Sequence, residues 1–256
     1  MERTMAEKLT AEFVGAFALI FIGAGSVVTS LLGASNLVGV ALAHGLVIAV
    51  MVSAVGHVSG GHFNPAVTIS AWITQKIKAS DAIGYVIAQL AGGAAGAFLL
   101  KAALGASLVD NPQVDYGVPK VLTGQVSISS GKAVLIEAVL TFFLVWVIFA
   151  TAVDPEGAFN KVAGLAIGFT ITLDILFGGP FTGAAMNPAR HFGPALASGF
   201  WDNWWVYWVG PIAGGIVAAV LYDSLIIKRP GSAAAGESAP GTGAHGEESM
   251  RPEAEM

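Results

Sequence analysis

The chain has 256 residues, 55% apolar and 11% charged, with a net charge of −5 at pH 7. A soluble domain carries about 25% charged residues, so this composition excludes an ordinary water-soluble globule, and no nucleic-acid partner is expected. No cysteine is present, which excludes disulfides, thiolate catalysis and iron–sulfur clusters; with no phosphate loop, metal-ligand spacing or Ser-His-Asp pattern either, the sequence predicts neither an enzyme nor a cofactor carrier.

Residues 1–8 form a short N-terminus with balanced charge, and the apolar run at 9–31 is too long for the apolar stretch of a signal peptide. It reads as a retained span. Further runs at 36–58, 82–105, 132–153, 160–179 and 204–227 are each long enough to cross a bilayer, which takes about 17–25 residues. Two stretches between the runs behave differently. "SGGHFNPAVT" at 59–68 and "FTGAAMNPARH" at 181–191 are rich in Gly, Pro and polar groups, and each carries Asn-Pro-Ala. Proline suits the first position of a helix, where its missing N–H costs nothing. Irregular backbone at membrane depth survives only against protein or a water-filled cavity. Both stretches therefore read as segments that dip into the membrane and return, with half-helices near 64–76 and 187–198. Residues 106–131 connect the two halves on one face. Residues 228–256, rich in Gly, Pro, Ala, Ser and Glu, cannot bury a core and read as a disordered tail.

The halves 9–105 and 132–227 repeat one another. Glu12 corresponds to Glu137 at an offset of 125, Asn64 to Asn187 at 123, and "GYVIAQLAGGAAGAFLL" from 84 to "VYWVGPIAGGIVAAVLY" from 206 at 122. Three spans per half force the second copy to enter upside down, and inverted repeats bring broken helices together near the midplane. Lys and Arg at 3, 8, 76, 78, 161, 228, 229 and 251 fall on the N-terminal side, against Lys101, Lys120 and Lys132 opposite. Basic residues favour the cytoplasmic side, so the expectation is a multi-pass protein of the cell membrane with both termini cytoplasmic.

The pair "GGHFNPAVT" and "GAAMNPAR", with Glu12, Glu137 and "GPIAGG", resembles the aquaporin (major intrinsic protein) family over residues 5–227. The resemblance implies an all-α membrane protein of six spans and two half-helices, one pore per subunit, assembled as a homotetramer. It implies a passive channel for water, with ammonia, urea, glycerol or hydrogen peroxide as further neutral solutes, while protons and ions are refused. A secondary transporter built from inverted repeats is the alternative.

Each half-helix would aim its positive end at the midplane. Asn64 and Asn187, followed by Pro65-Ala66 and Pro188-Ala189, would present amide donors that orient a passing water. The backbone of Gly60, Gly61 and His62, and of Gly183, Ala184 and Ala185, would offer carbonyls to the water file, with the His62 ring packed or facing a vestibule. Arg190 lies about 4.5 Å beyond Asn187 along its helix, at a depth shared by His44 and Ile175. The family alignment adds Ala184 to make a selectivity ring of His44, Ile175, Ala184 and Arg190, similar to the ring of plant tonoplast-type channels, with His44 and Arg190 as donors. Glu12 and Glu137 are expected to accept hydrogen bonds from the N–H groups of the dipping loops. His191 replaces both the Asp of the glycerol branch and the common Ser of water channels. Asp174 is expected to face a polar partner or a neighbouring subunit, His57 to be structural, the Gly92-Gly93 and Gly214-Gly215 pairs to allow close helix packing, and Trp201, Trp204, Trp205 and Trp208 to join an interfacial belt.

Overall fold

The computed structural model describes residues 3–125, 127–157 and 160–228. The tail at 229–256, including Arg229 and Arg251, lies outside them. Among the described residues six helices are long and apolar enough to span a membrane: α1 Met5–Leu32, α2 Leu37–Ser59, α4 Ala79–Leu104, α5 Ser130–Val153, α6 Ala163–Thr182 and α8 Val206–Ile227. Two shorter helices, α3 Pro65–Ile73 and α7 Pro188–Ser198, fill the positions of the Asn-Pro-Ala segments.

Several ends differ from the hydrophobic runs, and local chemistry explains them. Helix α1 starts four residues before its apolar run because Thr4 and Glu7 form a reciprocal cap, which satisfies two N–H groups that would otherwise lack partners. Helix α6 starts at Ala163 and continues through Pro180 to Thr182. Its last residue, Thr182, is held by hydrogen bonds with Glu137 and Tyr207. Helices α2 and α6 both stop at a left-handed glycine, Gly60 at φ +93° and Gly183 at φ +80°. These two turns open the dipping loops.

Packing follows the repeat. Helix α1 lies on α4 and α5 lies on α8, while α2 meets α6 across the molecule. A β-carbon on Gly92 would stand 2.3 Å from the Phe13 carbonyl oxygen, and one on Gly214 would stand 1.9 Å from that of Ala138. Only glycine allows those backbones to approach so closely. Each half-helix also packs on the third span of the opposite half, α7 on α4 and α3 on α8, which locks the two repeats together.

The connection between the halves is folded into the structure. Val109, Val114 and Tyr116 are buried, and the Leu122 N–H donates to the Phe181 carbonyl at 2.8 Å. The segment lies over the open end of the pore rather than free in solvent.

Candidate functional site

The two dipping loops meet directly at the centre. The Asn64 Nδ2 amide donates to the Met186 carbonyl at 2.9 Å, and the Asn187 amide donates to the Phe63 carbonyl at 3.0 Å. Each asparagine Oδ1 accepts from its own half-helix, Asn64 from Ala66 N–H and Asn187 from Ala189 N–H, both at 2.9 Å. One N–H of each amide is thus held by the opposite loop, and one remains for a passing oxygen. Both side chains are thereby fixed in orientation.

Holding the loops costs backbone strain. Phe63 has φ +50° and Met186 φ +52°, and Ala184 has φ +44° at the position matching Gly61. Left-handed backbone costs about 1–2 kcal/mol for a residue with a β-carbon, and such strain persists where surroundings over-determine it. A buried carboxylate supplies that determination in each half. Glu12 accepts from Ser59 Oγ at 2.6 Å, His62 N–H at 3.0 Å, Phe63 N–H at 2.7 Å and Gln89 Nε2 at 2.7 Å. Glu137 accepts from Thr182 Oγ1 at 2.7 Å, Ala185 N–H at 3.0 Å and Met186 N–H at 2.7 Å. Tyr85 and Tyr207 close the pattern, each donating its hydroxyl to the carbonyl of the helix-ending residue, Ser59 at 2.8 Å and Thr182 at 2.9 Å.

The symmetry breaks at the imidazoles. In the first half the ring comes from the loop: His62 Nδ1 lies 3.1 Å from Thr68 Oγ1, and its ring meets Tyr85 edge-on at 5.4 Å. In the second half the loop position is Ala185, and the ring comes from the half-helix, where His191 stacks on Tyr207 at 4.4 Å. His191 is fully buried, and neither ring nitrogen has a hydrogen-bond partner among the described residues. Each half thus sets one imidazole against the third-span tyrosine.

A passage of about 30 Å³ runs past the loops, lined by Gly61, His62, Asn64, Ala184, Ala185, Met186, Asn187 and Arg190 on one side. Leu19, Ile48, Val67, Leu144, Ile148, Ile167, Ile171 and Ile175 make the apolar wall. At about 10–15 Å³ per water-sized sphere, that admits two or three waters in file. The carbonyls of Gly61, His62, Ala184 and Ala185 accept no hydrogen bond from any described residue, so they are available to that file. Gly60 is exposed at the end of α2, where the first dipping loop begins. Gly183 lies in the outer vestibule, a space of about 280 Å³ roofed by the connecting segment from Gln113 to Lys120.

His44, Ile175, Ala184 and Arg190 all line the passage, and His44, Ile175 and Arg190 also face the vestibule. Arg190 Nε donates to His44 Nε2 at 3.0 Å, and His44 Nδ1 lies 2.8 Å from the Val40 carbonyl. A guanidinium only donates, so Nε2 is the acceptor and the ring proton sits on Nδ1, donated to Val40. His44 therefore has no N–H left for the pore, contrary to its expected part as a donor. It holds Arg190 instead, whose buried Nη1 has no protein partner among the described residues. Gly23, in a π-helical turn of α1 at Leu19–Ala24, makes room for the ring: a β-carbon there would stand 2.7 Å from it.

Asp174 is buried and absent from the passage lining, and its Oδ2 has no hydrogen-bond partner among the described residues. The polar partner expected for it is not found among the described residues of this chain. His57 is exposed in the last turn of α2. Trp201, Trp204 and Trp205 are exposed and Trp208 is half-buried at the start of α8. The sequence did not single out Ser59, Thr182 or Tyr85, nor the bond by which Tyr207 holds Thr182; the repeat offsets of 123 and 122 that aligned the two halves were the available signal.

A narrow passage framed by opposed half-helices inside a six-span inverted repeat defines a membrane channel. The chain matches the Major intrinsic protein family over residues 2–222. It is 45% identical over 228 residues to "Aquaporin TIP4-4" of Zea mays, covering 86% of this chain and 87% of that protein. It is 42% identical over 219 residues to the "Lens fiber major intrinsic protein" of Lithobates pipiens, covering 86% and 81%. The solved aquaglyceroporin from Plasmodium falciparum superposes with a TM-score of 0.77 at 25% identity, covering 88% of this chain and 98% of that one. The chain belongs to the major intrinsic protein family.

Proposed function

We propose that this channel passes water rapidly and passively through the lining described above, and that it also admits small neutral solutes such as ammonia, urea, glycerol and hydrogen peroxide. The observation that carries this reading is the reciprocal pair of bonds from Asn64 to Met186 and from Asn187 to Phe63, which holds two half-helix starts face to face beside the passage. Facing positive helix ends raise the energy of any cation at the midplane. The remaining N–H of each asparagine orients the central water so that its own hydrogens point away from both, and a proton relay breaks there. Protons and ions are refused on these grounds.

The ring supports the wider solute range. Ile175 and Ala184 leave two walls small and apolar, while Arg190 is drawn to one side by His44 and keeps Nη1 for a solute oxygen. Both termini are assigned to the cytoplasmic side of a cell membrane, supported by the distribution of lysine and arginine, and a homotetramer with one pore per subunit is the assembly the resemblance implies.

Stopped-flow measurement on proteoliposomes tests the proposal. Water flux with a low activation energy is expected, with urea and glycerol flux well above that of empty liposomes. A high activation energy would instead point to a rocking transporter, and solute fluxes equal to empty liposomes would restrict the channel to water.

A further inference from the structure

Away from the pore, an outward-facing groove of about 260 Å³ lies between α3 and the first turns of α4, walled by Ile69, Trp72, Ala82, Ile83, Val86 and Ile87. Ile83, Ile87 and Trp72 are 64%, 63% and 45% exposed, so the groove opens toward whatever surrounds the protein in the membrane. Its floor follows α4 from residue 79 to residue 87, about 12 Å at 1.5 Å per residue. That keeps it within one leaflet of a hydrocarbon slab about 30 Å thick.

The surface end of the groove carries an uncompensated positive charge. Lys78 is exposed and has no ion-pair partner among the described residues, whereas the nearby acids are already neutralised: Asp81 pairs with Lys8 at 3.2 Å, and Asp223 with Lys76 and Lys228, each at 2.6 Å. We infer that the groove is a binding site for an anionic phospholipid, one acyl chain lying along Ile83 and Ile87 and the phosphate group at Lys78. A zwitterionic lipid fills the apolar part but brings no net charge to Lys78. A second copy of the chain would need an acid at that point to do as well.

Native mass spectrometry of the full-length protein in mild detergent tests this, with phosphatidylglycerol and phosphatidylcholine of identical chains as probes. Phosphatidylglycerol is expected to be retained about fivefold more tightly, the effect of roughly one lysine at an anionic surface. Lys78→Gln, an exposed substitution, is expected to remove that preference and leave phosphatidylcholine retention unchanged. Val86→Trp, which fills the groove, is expected to lower retention of both lipids, with water permeability unaltered in either variant because neither residue lines the pore. Equal retention of the two lipids by the unaltered protein, or a preference that survives Lys78→Gln, overturns the inference. So does a Val86→Trp protein that loses its oligomeric state while keeping its lipids, because the occupant would then be another copy of the chain.

Discussion

At the scale of single residues, His44 shows how a side chain shapes a pore through its neighbour. Its two ring nitrogens are committed to Val40 and Arg190, so its contribution is the place it gives the guanidinium. Replacing it with Phe removes the acceptor and leaves Arg190 Nε unpaired in a buried site, which costs about 1–3 kcal/mol if the arginine stays where it is. The arginine is therefore expected to swing toward the passage. Stopped-flow comparison of His44→Phe with the parent should show urea and glycerol permeability falling about tenfold while water falls much less. Ala184 offers the converse change. Its φ of +44° is unstrained for glycine, and it lines the passage. Ala184→Gly is expected to keep the fold and raise urea flux several-fold over water flux in the same assay.

Among the structural elements, the two dipping loops depend on carboxylates buried inside spans. An acid at that depth ordinarily signals ion coupling, yet Glu12 and Glu137 are saturated by donors and line no part of the passage. Glutamine at either position would turn an amide donor toward N–H and O–H groups that already donate. At about 1–3 kcal/mol for each buried donor left unsatisfied, Glu12→Gln and Glu137→Gln are each expected to lower the thermal midpoint of the detergent-solubilised protein by several degrees. Glu12→Gln should have the larger effect, because it also faces the Gln89 amide, whereas the matching position in the second half is Pro211. A midpoint unchanged in both variants would show that the carboxylates do not hold the loops.

For the whole molecule, the complete absence of cysteine makes a sharp expectation: water permeability in proteoliposomes should be unchanged after exposure to mercurials, since the pore has no thiol to react. Much of the architecture was already legible in the chain. The apolar runs marked six spans, because crossing a bilayer demands a fixed length of hydrocarbon-compatible residues, and the paired offsets of Glu, Asn-Pro-Ala and Gly-Gly revealed an inverted repeat, because each half must satisfy the same backbone groups. Other features depended on distances across the fold. The sequence alone could not show that one amide N–H of each asparagine is spent on the opposite loop, that His44 accepts from Arg190 rather than donating to a solute, or that residues 113–120 roof the vestibule. Length, polarity and repetition are properties of the chain by itself, so the span count and the doubled half-helices were settled there. Which lone pair meets which hydrogen depends on groups more than a hundred residues apart, and only the packed molecule decides that.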